Sequence, residues 1–387
     1  MKVIEGGIGS ISDVNIYGLR NEIKKESIGI IVCKGSTVGI FSQNKLKSAS
    51  SILNKSCLPG EIELILINNG CANIFDGENE FKNQKELINT VAEEYNVDDK
   101  SICSISTGSI GNNIDMDWLK LGIKEINSNL KEEYCGDKAL LTSLMCDNST
   151  CKQFAIEIDG IRIGGIAKYV NIDGPRMAMS TIILYTDAKL PSELVYYTES
   201  NSLYEVFQNC FNKAFDLSFN MIATNEFINI DDIALLTTTN KNKIDIDRFQ
   251  IGLNYICFEL AKMIAKDLAK NSKYIEVFVI GAKTKKDASS IAKIIAKSCK
   301  YELNFFNNIE NFGTIISRIG NSDASIFIKR ITIVISNGVQ HLILCDEGTL
   351  IKKSFNKVDD ILNSKNIIIK IDIGIGNRDA LSWGYSI

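Results

Sequence analysis

Histidine is almost absent from this chain: a single residue, His341, occurs among 387. It lies in the apolar run VQHLILC, which favours a strand and a structural role for the imidazole. With one histidine, Ser-His-Asp and Cys-His mechanisms are disfavoured, and with the cysteines scattered along the chain a zinc site is disfavoured as well. The sequence therefore predicts no metal site and no cofactor.

A basic block and a long apolar run are also missing. Lysine and arginine total 43 and aspartate and glutamate 47, a net charge of −4, so we expect no nucleic-acid partner. No apolar run reaches the roughly 20 residues of a membrane helix. Glu5 and two glycines interrupt the first residues before a signal-peptide core could form. We therefore expect a cytoplasmic protein without membrane contact.

The 11 cysteines are scattered and odd in number. The closest pair, Cys146 and Cys151, lies in CDNSTC. Free thiols packed in a reducing compartment are the expected state.

Strand and helix patterns alternate along the chain. Strands are predicted at 28–33, 37–41, 62–68, 102–107 and 232–239, and helices at 117–134, 138–145, 191–215 and 247–270. Asp159-Gly160, between two alternating runs in 153–170, predicts a tight hairpin. A strand at 274–282, a helix at 285–299 and strands at 325–336, 340–346 and 366–374 follow. We predict two domains, residues 1–245 and 246–387, with no internal repeat and no low-complexity linker.

Two short stretches could carry chemistry. STGSIG (106–111) follows a strand, and its Thr-Gly pair could present donors to an oxyanion, although a tight turn would use the same residues. GPRMAMSTIILYTDA (174–188) places Ser180 beside Thr181 before an apolar run. These hydroxyls are either nucleophiles or packing groups.

Several stretches occur together in one order over nearly the whole chain: GIFSQNKLKSAS (39–50), LINNGCANIFDGE (66–78), STGSIG, GGIAK (164–168), GPRMA…YTDA, SFNMI (218–222), NFGTIISRIG (311–320) and DIGIGNRDALSWGYSI (372–387). In this order they resemble the ornithine acetyltransferase (glutamate N-acetyltransferase) family of arginine biosynthesis.

The resemblance implies an α/β fold: an αββα sandwich followed by a second α/β domain. It also implies a precursor that cuts itself between an Ala and a Thr. The freed Thr carries acetyl from N-acetylornithine to glutamate, with its own α-amine as the base. By the same resemblance, Thr107 and Gly108 match the oxyanion pair and Lys168 matches a substrate contact. A structural turn and a solvated hairpin residue are the respective alternatives.

The chain departs from the family at several site positions. The nucleophile position falls on Met179, and a thioether has no proton to give and cannot carry an acyl group. Two substrate-binding positions fall on Met145 and Ala269, and the family's flexible loop, which begins at Lys168, reads KYVNI (168–172). The last residues are WGYSI, where the resemblance would lead us to expect a further tail that closes over the substrate.

We therefore expect a divergent, non-catalytic paralogue that neither cuts itself nor transfers acetyl. It would bind an amino acid or N-acetyl amino acid as a ligand sensor, or act as a homo-oligomer or as the partner of an active acetyltransferase. The alternative is an active N-acyltransferase that uses Ser180, Thr181 or Ser106 on an altered substrate. In an extended strand, Thr181 would share the side of Met179 but lie ~6.6 Å further along.

Overall fold

The computed structural model describes residues 1–23, 25–128, 136–137, 140, 152–169, 180–223, 230, 232–301 and 309–386. The chain divides into two compact units, Met1–Phe215 with Phe227–Leu260 and Asp216–Glu226 with Ala261–Ile387. The predicted domains, 1–245 and 246–387, stay a prediction. Within the described ranges, no helix is long and apolar enough to span a bilayer.

The first unit is built on a nine-stranded sheet of the described residues, in the order β1-β6-β7-β8-β9-β3-β4-β5 with β2 paired to β3. Its strands are β1 Lys2–Ile4, β2 Asn15–Asn21, β3 Glu26–Phe41, β4 Gly60–Cys71, β5 Ile102–Ser109, β6 Lys152–Ile158, β7 Ile161–Lys168, β8 Thr181–Lys189 and β9 Ile233–Lys243. The helices up to residue 268 are α1 Ala49–Cys57, α2 Asn79–Tyr95, α3 Met116–Ser128, α4 Leu194–Tyr197, α5 Leu203–Asp216 and α6 Ile246–Leu268.

Strand β3 joins the two halves of this sheet. Its first half pairs with β2 and β4, and its last residues pair with β9. The predicted break between strands 28–33 and 37–41 is wrong: the register shifts between Val32 and Gly35, which is a bulge rather than a turn. A Cβ on Gly35 would lie 2.6 Å from the carbonyl oxygen of Thr238, so only glycine lets β9 approach so closely.

The two halves of the sheet share one apolar core, which unites Ile65 and Ile105 from β4 and β5 with Ile183 and Leu235 from β8 and β9. A second core lies between α2, α3 and the other face of β3 to β5. On the opposite side, α6 covers β6 and β7, where Gly252 leaves room for isoleucines of both strands. The layers are therefore helix, sheet, sheet and helix, as the resemblance implied.

Two further predictions of elements have clear outcomes in this unit. The hairpin at Asp159-Gly160 is confirmed, because both residues have positive φ, 48° and 83°, between β6 and β7. The single helix predicted at 191–215 is wrong. It is divided into α4 and α5, because Ser202 accepts a hydrogen bond from the N–H of Glu205 at 3.2 Å and begins a new helix. Most of the helix predicted at 138–145 lies outside the described residues.

The second unit contains a six-stranded sheet of the described residues, ordered β13-β12-β11-β14-β10-β15. The elements are β10 Tyr274–Ala282, β11 Thr332–Ser336, β12 His341–Asp346, β13 Thr349–Leu350, β14 Asn366–Asp372, β15 Arg378–Tyr385, α7 Lys285–Tyr301, α8 Ile309–Gly320 and α9 Val358–Leu362. Strands β10 and β14 run parallel, and the other pairs are antiparallel.

Most of the strand predicted at 325–336 is wrong, since residues 328–330 form a 3₁₀ turn and only 332–336 join the sheet. Strand β15 was not predicted, because its pattern mixes polar and apolar residues. It pairs with β10 over most of its length, and a Cβ on Gly384 would lie 2.6 Å from the carbonyl oxygen of Ala296 on α7.

Candidate functional site

The interior between the two sheet layers is apolar over most of its length and polar at one end. Because side chains alternate along a strand, each strand keeps one face toward this interior. That face passes from Ile67 to Asn69 on β4, from Ile105 to Thr107 on β5, from Ile166 to Lys168 on β7 and from Ile183 to Thr181 on β8. A cluster of polar side chains is therefore built from four strands.

Lys168 lies at the centre of this polar end. Its side chain crosses the interior, and Nζ donates to Asn69 Oδ1 at 2.7 Å and to Thr107 Oγ1 at 3.4 Å. The residue is 1% exposed, so the solvated-hairpin alternative is wrong. Both acceptors are neutral, and among the described residues Lys168 forms no ion pair. A buried cation with neutral partners is costly, and an anion placed beside it would be strongly held.

Thr107 and Gly108 lie at the end of β5, beside Asn69 and Gly70 of the parallel strand β4. Thr107 is fully buried and contacts Lys168, so two of the predicted site residues meet. Gly108 has φ +136°, and a Cβ there would lie 2.4 Å from the carbonyl carbon of Gly70. This position therefore requires glycine for the backbone itself, and the oxyanion role of the pair stays a prediction.

Ser106 faces away from this interior. Its Oγ lies 2.6 Å from Asn68 Oδ1 and 2.8 Å from Gln84 Oε1, with Gln84 on α2. Gln84 is fully buried and also accepts from Asn73 Nδ2 at 3.2 Å. Ser106 thus belongs to a polar network between sheet and helix, on the opposite face from Thr107, and this network holds the end of β5 from behind.

Thr181 is the hydroxyl that shares the interior face with Lys168, because the two residues are directly opposite on β7 and β8. Thr181 is 1% exposed, and its Oγ1 has no hydrogen-bond partner among the described residues. Ser180 precedes the strand, and its N–H donates to Asp232 Oδ1 at 2.8 Å. Its Oγ is likewise buried without a partner among the described residues, but alternation directs it to the other face.

Of the remaining predicted positions, the structure describes Ala269 and His341. Met145 and Met179 lie outside the described residues, as do Cys146 and Cys151. Ala269 is buried just after α6, within the second unit. His341 does lie on a strand, β12, where its side chain is exposed.

Three residues of this region were missed by the sequence reasoning: Asn69, Ser27 and Asp232. Asn69 binds Lys168 through its oxygen and donates from Nδ2 to Ser27 Oγ at 3.2 Å. Two consecutive asparagines at the end of a predicted strand were the available signal. Alternation sends one to each face, so one of them had to enter the sandwich interior.

A thiol also lies at this end of β4. Burial raises the pKa of the Cys71 thiol, at the end of β4, so the reactive thiolate is disfavoured. Among the described residues, no group of three or more His, Cys, Asp or Glu side chains is arranged to hold a metal ion. What the cluster offers is a buried positive charge, several hydroxyl and amide groups, and a strained glycine backbone.

Comparison with known proteins gives a consistent result. A model described as the ArgJ family matches residues 14–387. The chain is 30% identical over 393 residues to a glutamate N-acetyltransferase of Methanosarcina mazei, covering 99% of this chain and 96% of that protein. It is 27% identical over 369 residues to the arginine biosynthesis bifunctional protein ArgJ of Archaeoglobus fulgidus, covering 95% and 93%. A crystal structure of ArgJ from Bacillus halodurans aligns with 55% of this chain and 95% of that one, at 21% identity and a TM-score of 0.44.

Proposed function

Because the chain belongs to the ArgJ family, we propose that it keeps an amino-acid-binding site of that family but has lost the covalent acetyl transfer. Its relatives include proteins named glutamate N-acetyltransferase. The proposal rests mainly on the burial of the Lys168 ammonium. The residue is 1% exposed, and among the described residues only neutral groups accept hydrogen bonds from it. A ligand carboxylate would supply the missing negative charge.

The proposed ligand is an amino acid or N-acetyl amino acid, such as glutamate or N-acetylornithine. Its carboxylate would accept from Lys168 Nζ, and the hydroxyls of Thr107 and Thr181 lie on the same face to complete the polar end. In the cytoplasm the protein would then act as a sensor of this ligand, or as a homo-oligomer or partner of an active acetyltransferase.

The proposed loss of self-cleavage and acetyl transfer is inferred from the sequence. Met179 occupies the position of the family nucleophile, while Met145 and Ala269 occupy positions of substrate contacts. A thioether can neither attack the preceding carbonyl nor carry an acetyl group. Self-cleavage and the two-step transfer would therefore both be absent.

A second candidate is an active N-acyltransferase that uses Thr181. It is favoured by the buried Oγ1 of Thr181, which has no partner among the described residues and shares a face with the Lys168 ammonium. In that mechanism the hydroxyl oxygen attacks the acyl carbon and forms a C–O bond, its proton passes through a base to the leaving nitrogen, and the C–N bond breaks to release the amine.

Mass spectrometry and an exchange assay distinguish the two candidates. The denatured protein should appear as one species of 42.9 kDa, with no acetyl exchange between N-acetylornithine and glutamate. Calorimetry should detect binding of at least one of these ligands, and Lys168→Met should weaken it by about 10- to 100-fold, the loss of one charge-assisted contact. Lys34→Met, at an exposed residue, is the matched control.

Three results would contradict the proposal in different ways. Two fragments that meet near Ala178 would show that the chain cuts itself. An acetyl adduct that Thr181→Val abolishes would support the acyltransferase instead. Unchanged ligand affinity in Lys168→Met would remove the proposed binding site.

A further inference from the structure

Asn69 occupies the place where a buried ammonium would ordinarily meet a carboxylate. Its Oδ1 is 2.7 Å from Lys168 Nζ, and its side chain is almost fully buried. An ammonium only donates hydrogen bonds, so the amide oxygen must face Lys168. The amide nitrogen then donates to Ser27 Oγ at 3.2 Å, on the neighbouring strand β3. The amide is thus fixed in one orientation by partners on two strands.

We propose that Asn69 sets the charge preference of this site. It holds the Lys168 ammonium in position without neutralising it, and the charge therefore remains for the carboxylate of a ligand. The inference rests on the proposed function, in which such a ligand binds at Lys168. Asn69 is a positioning and specificity-determining residue, because it acts on the ligand through Lys168.

The geometry makes Asn69→Asp a sharp test. Aspartate has nearly the shape of asparagine, and the Ser27 hydroxyl can rotate to donate to the new oxygen. The introduced carboxylate would neutralise Lys168 inside the protein and repel a ligand carboxylate. A ligand that carries a carboxamide in its place would not be repelled.

Calorimetry should compare N-acetylornithine with its carboxamide. The unaltered protein should prefer the carboxylate, and Asn69→Asp should lose this preference through a drop of about 10- to 100-fold in carboxylate affinity. Asn79→Asp makes the same charge change at an exposed residue of α2 and should keep the preference. If Asn69→Asp keeps the preference of the unaltered protein, the inference is wrong although the proposed function stands.

A second measurement needs no ligand. Melting temperatures of Asn69→Asp, Lys168→Met and the double variant form a thermodynamic cycle. Asn69→Asp alone should keep or raise the melting temperature, whereas the double variant, left with an unpaired buried carboxylate, should melt well below the sum of the single effects. Additive effects would overturn the pairing. If the cycle shows strong coupling but the protein binds no carboxylate ligand, then the pairing between position 69 and Lys168 stands and the proposed function is wrong.

Discussion

Replacing Lys168 by methionine should make the protein more stable while it weakens ligand binding. Methionine keeps most of the unbranched stem and removes the ammonium. The ammonium is buried, and its acceptors among the described residues are Asn69 Oδ1 at 2.7 Å and Thr107 Oγ1 at 3.4 Å. Among the described residues, no carboxylate forms an ion pair with it. The stability effect is therefore a balance between desolvation and these two contacts.

The magnitude follows from the two contributions. Burying one ion costs several kcal/mol after relaxation. The short hydrogen bond to Asn69 stabilises the folded state by about 1.5–3 kcal/mol, and the longer contact with Thr107, at 3.4 Å, stabilises it by less. The difference predicts that Lys168→Met gains about 1–3 kcal/mol in the free energy of unfolding.

Urea-induced unfolding of the unaltered protein and the variant measures this difference, with probes that report separately on the two compact units. Lys34→Met is the matched control, because the Lys34 ammonium pairs with Glu63 at 3.1 Å on the exposed surface. Such pairs contribute about 0–1 kcal/mol, so the control should change little.

A loss of stability in Lys168→Met would contradict this prediction. If Lys168→Met loses more than about 2 kcal/mol while Lys34→Met is unchanged, then Lys168 is a structural anchor between β7, β4 and β5. The proposed retention of a buried charge for ligand binding would then have no support from stability.

Two other predictions concern the backbone and the thiols. Gly108→Ala should destabilise the protein by more than about 2 kcal/mol, because its Cβ would lie 2.4 Å from the carbonyl carbon of Gly70 at φ +136°. Gly77→Ala has a positive φ of +60° but nothing within 4 Å of its Cβ, so it is the control for strain without a clash and should lose less stability in the same unfolding assay. Burial raises the pKa of Cys33 and Cys210 from 9.0 to about 11, so the folded state disfavours their thiolates. The stability that they contribute is complete below pH 9 and is lost as the pH rises from 9 to about 11. The free energy of unfolding measured across this range should therefore fall less in a variant with both Cys33→Ala and Cys210→Ala than in the unaltered protein. An equal fall in both proteins would contradict this prediction.

Local patterns in the sequence were enough to predict several features of the fold and the family. Asp159-Gly160 adopts the left-handed conformations that a two-residue hairpin needs, and the structure has that turn. The runs of apolar, β-branched residues at 62–68 and 102–107 predicted strands, which β4 and β5 confirm. The ordered motifs led to the right family, and the family model matches residues 14–387. The assignment of the family's nucleophile position to Met179 stays a prediction from the sequence, and a thioether lacks a nucleophilic hydroxyl wherever it lies.

The ends of helices and strands were harder to predict from the sequence, because small residues such as glycine and serine occur in turns, bulges and helix caps alike. Gly35 and Ser36 look like a turn, but they belong to a bulge in the continuous strand β3, where Gly35 admits the backbone of β9. Ser202 lies within a helical pattern and starts a new helix by capping it. In each case a long-range approach or a local cap decided between conformations that the residue types allowed equally.

The candidate site shows most clearly where tertiary structure was needed. Alternation tells which side chains of a strand share a face, but only packing against another layer decides which face is interior. From the sequence, Lys168 could equally be a solvated residue at the end of a hairpin. In the structure, the facing layer of β4 and β5 buries it against Asn69, which is 99 residues away in the chain. By the same packing, Thr107 faces the interior and Ser106 faces α2, although the two hydroxyls are adjacent in the chain. The environment of the Lys168 ammonium arises from these distant contacts, because packing removes it from water and surrounds it with the neutral acceptors Asn69 and Thr107.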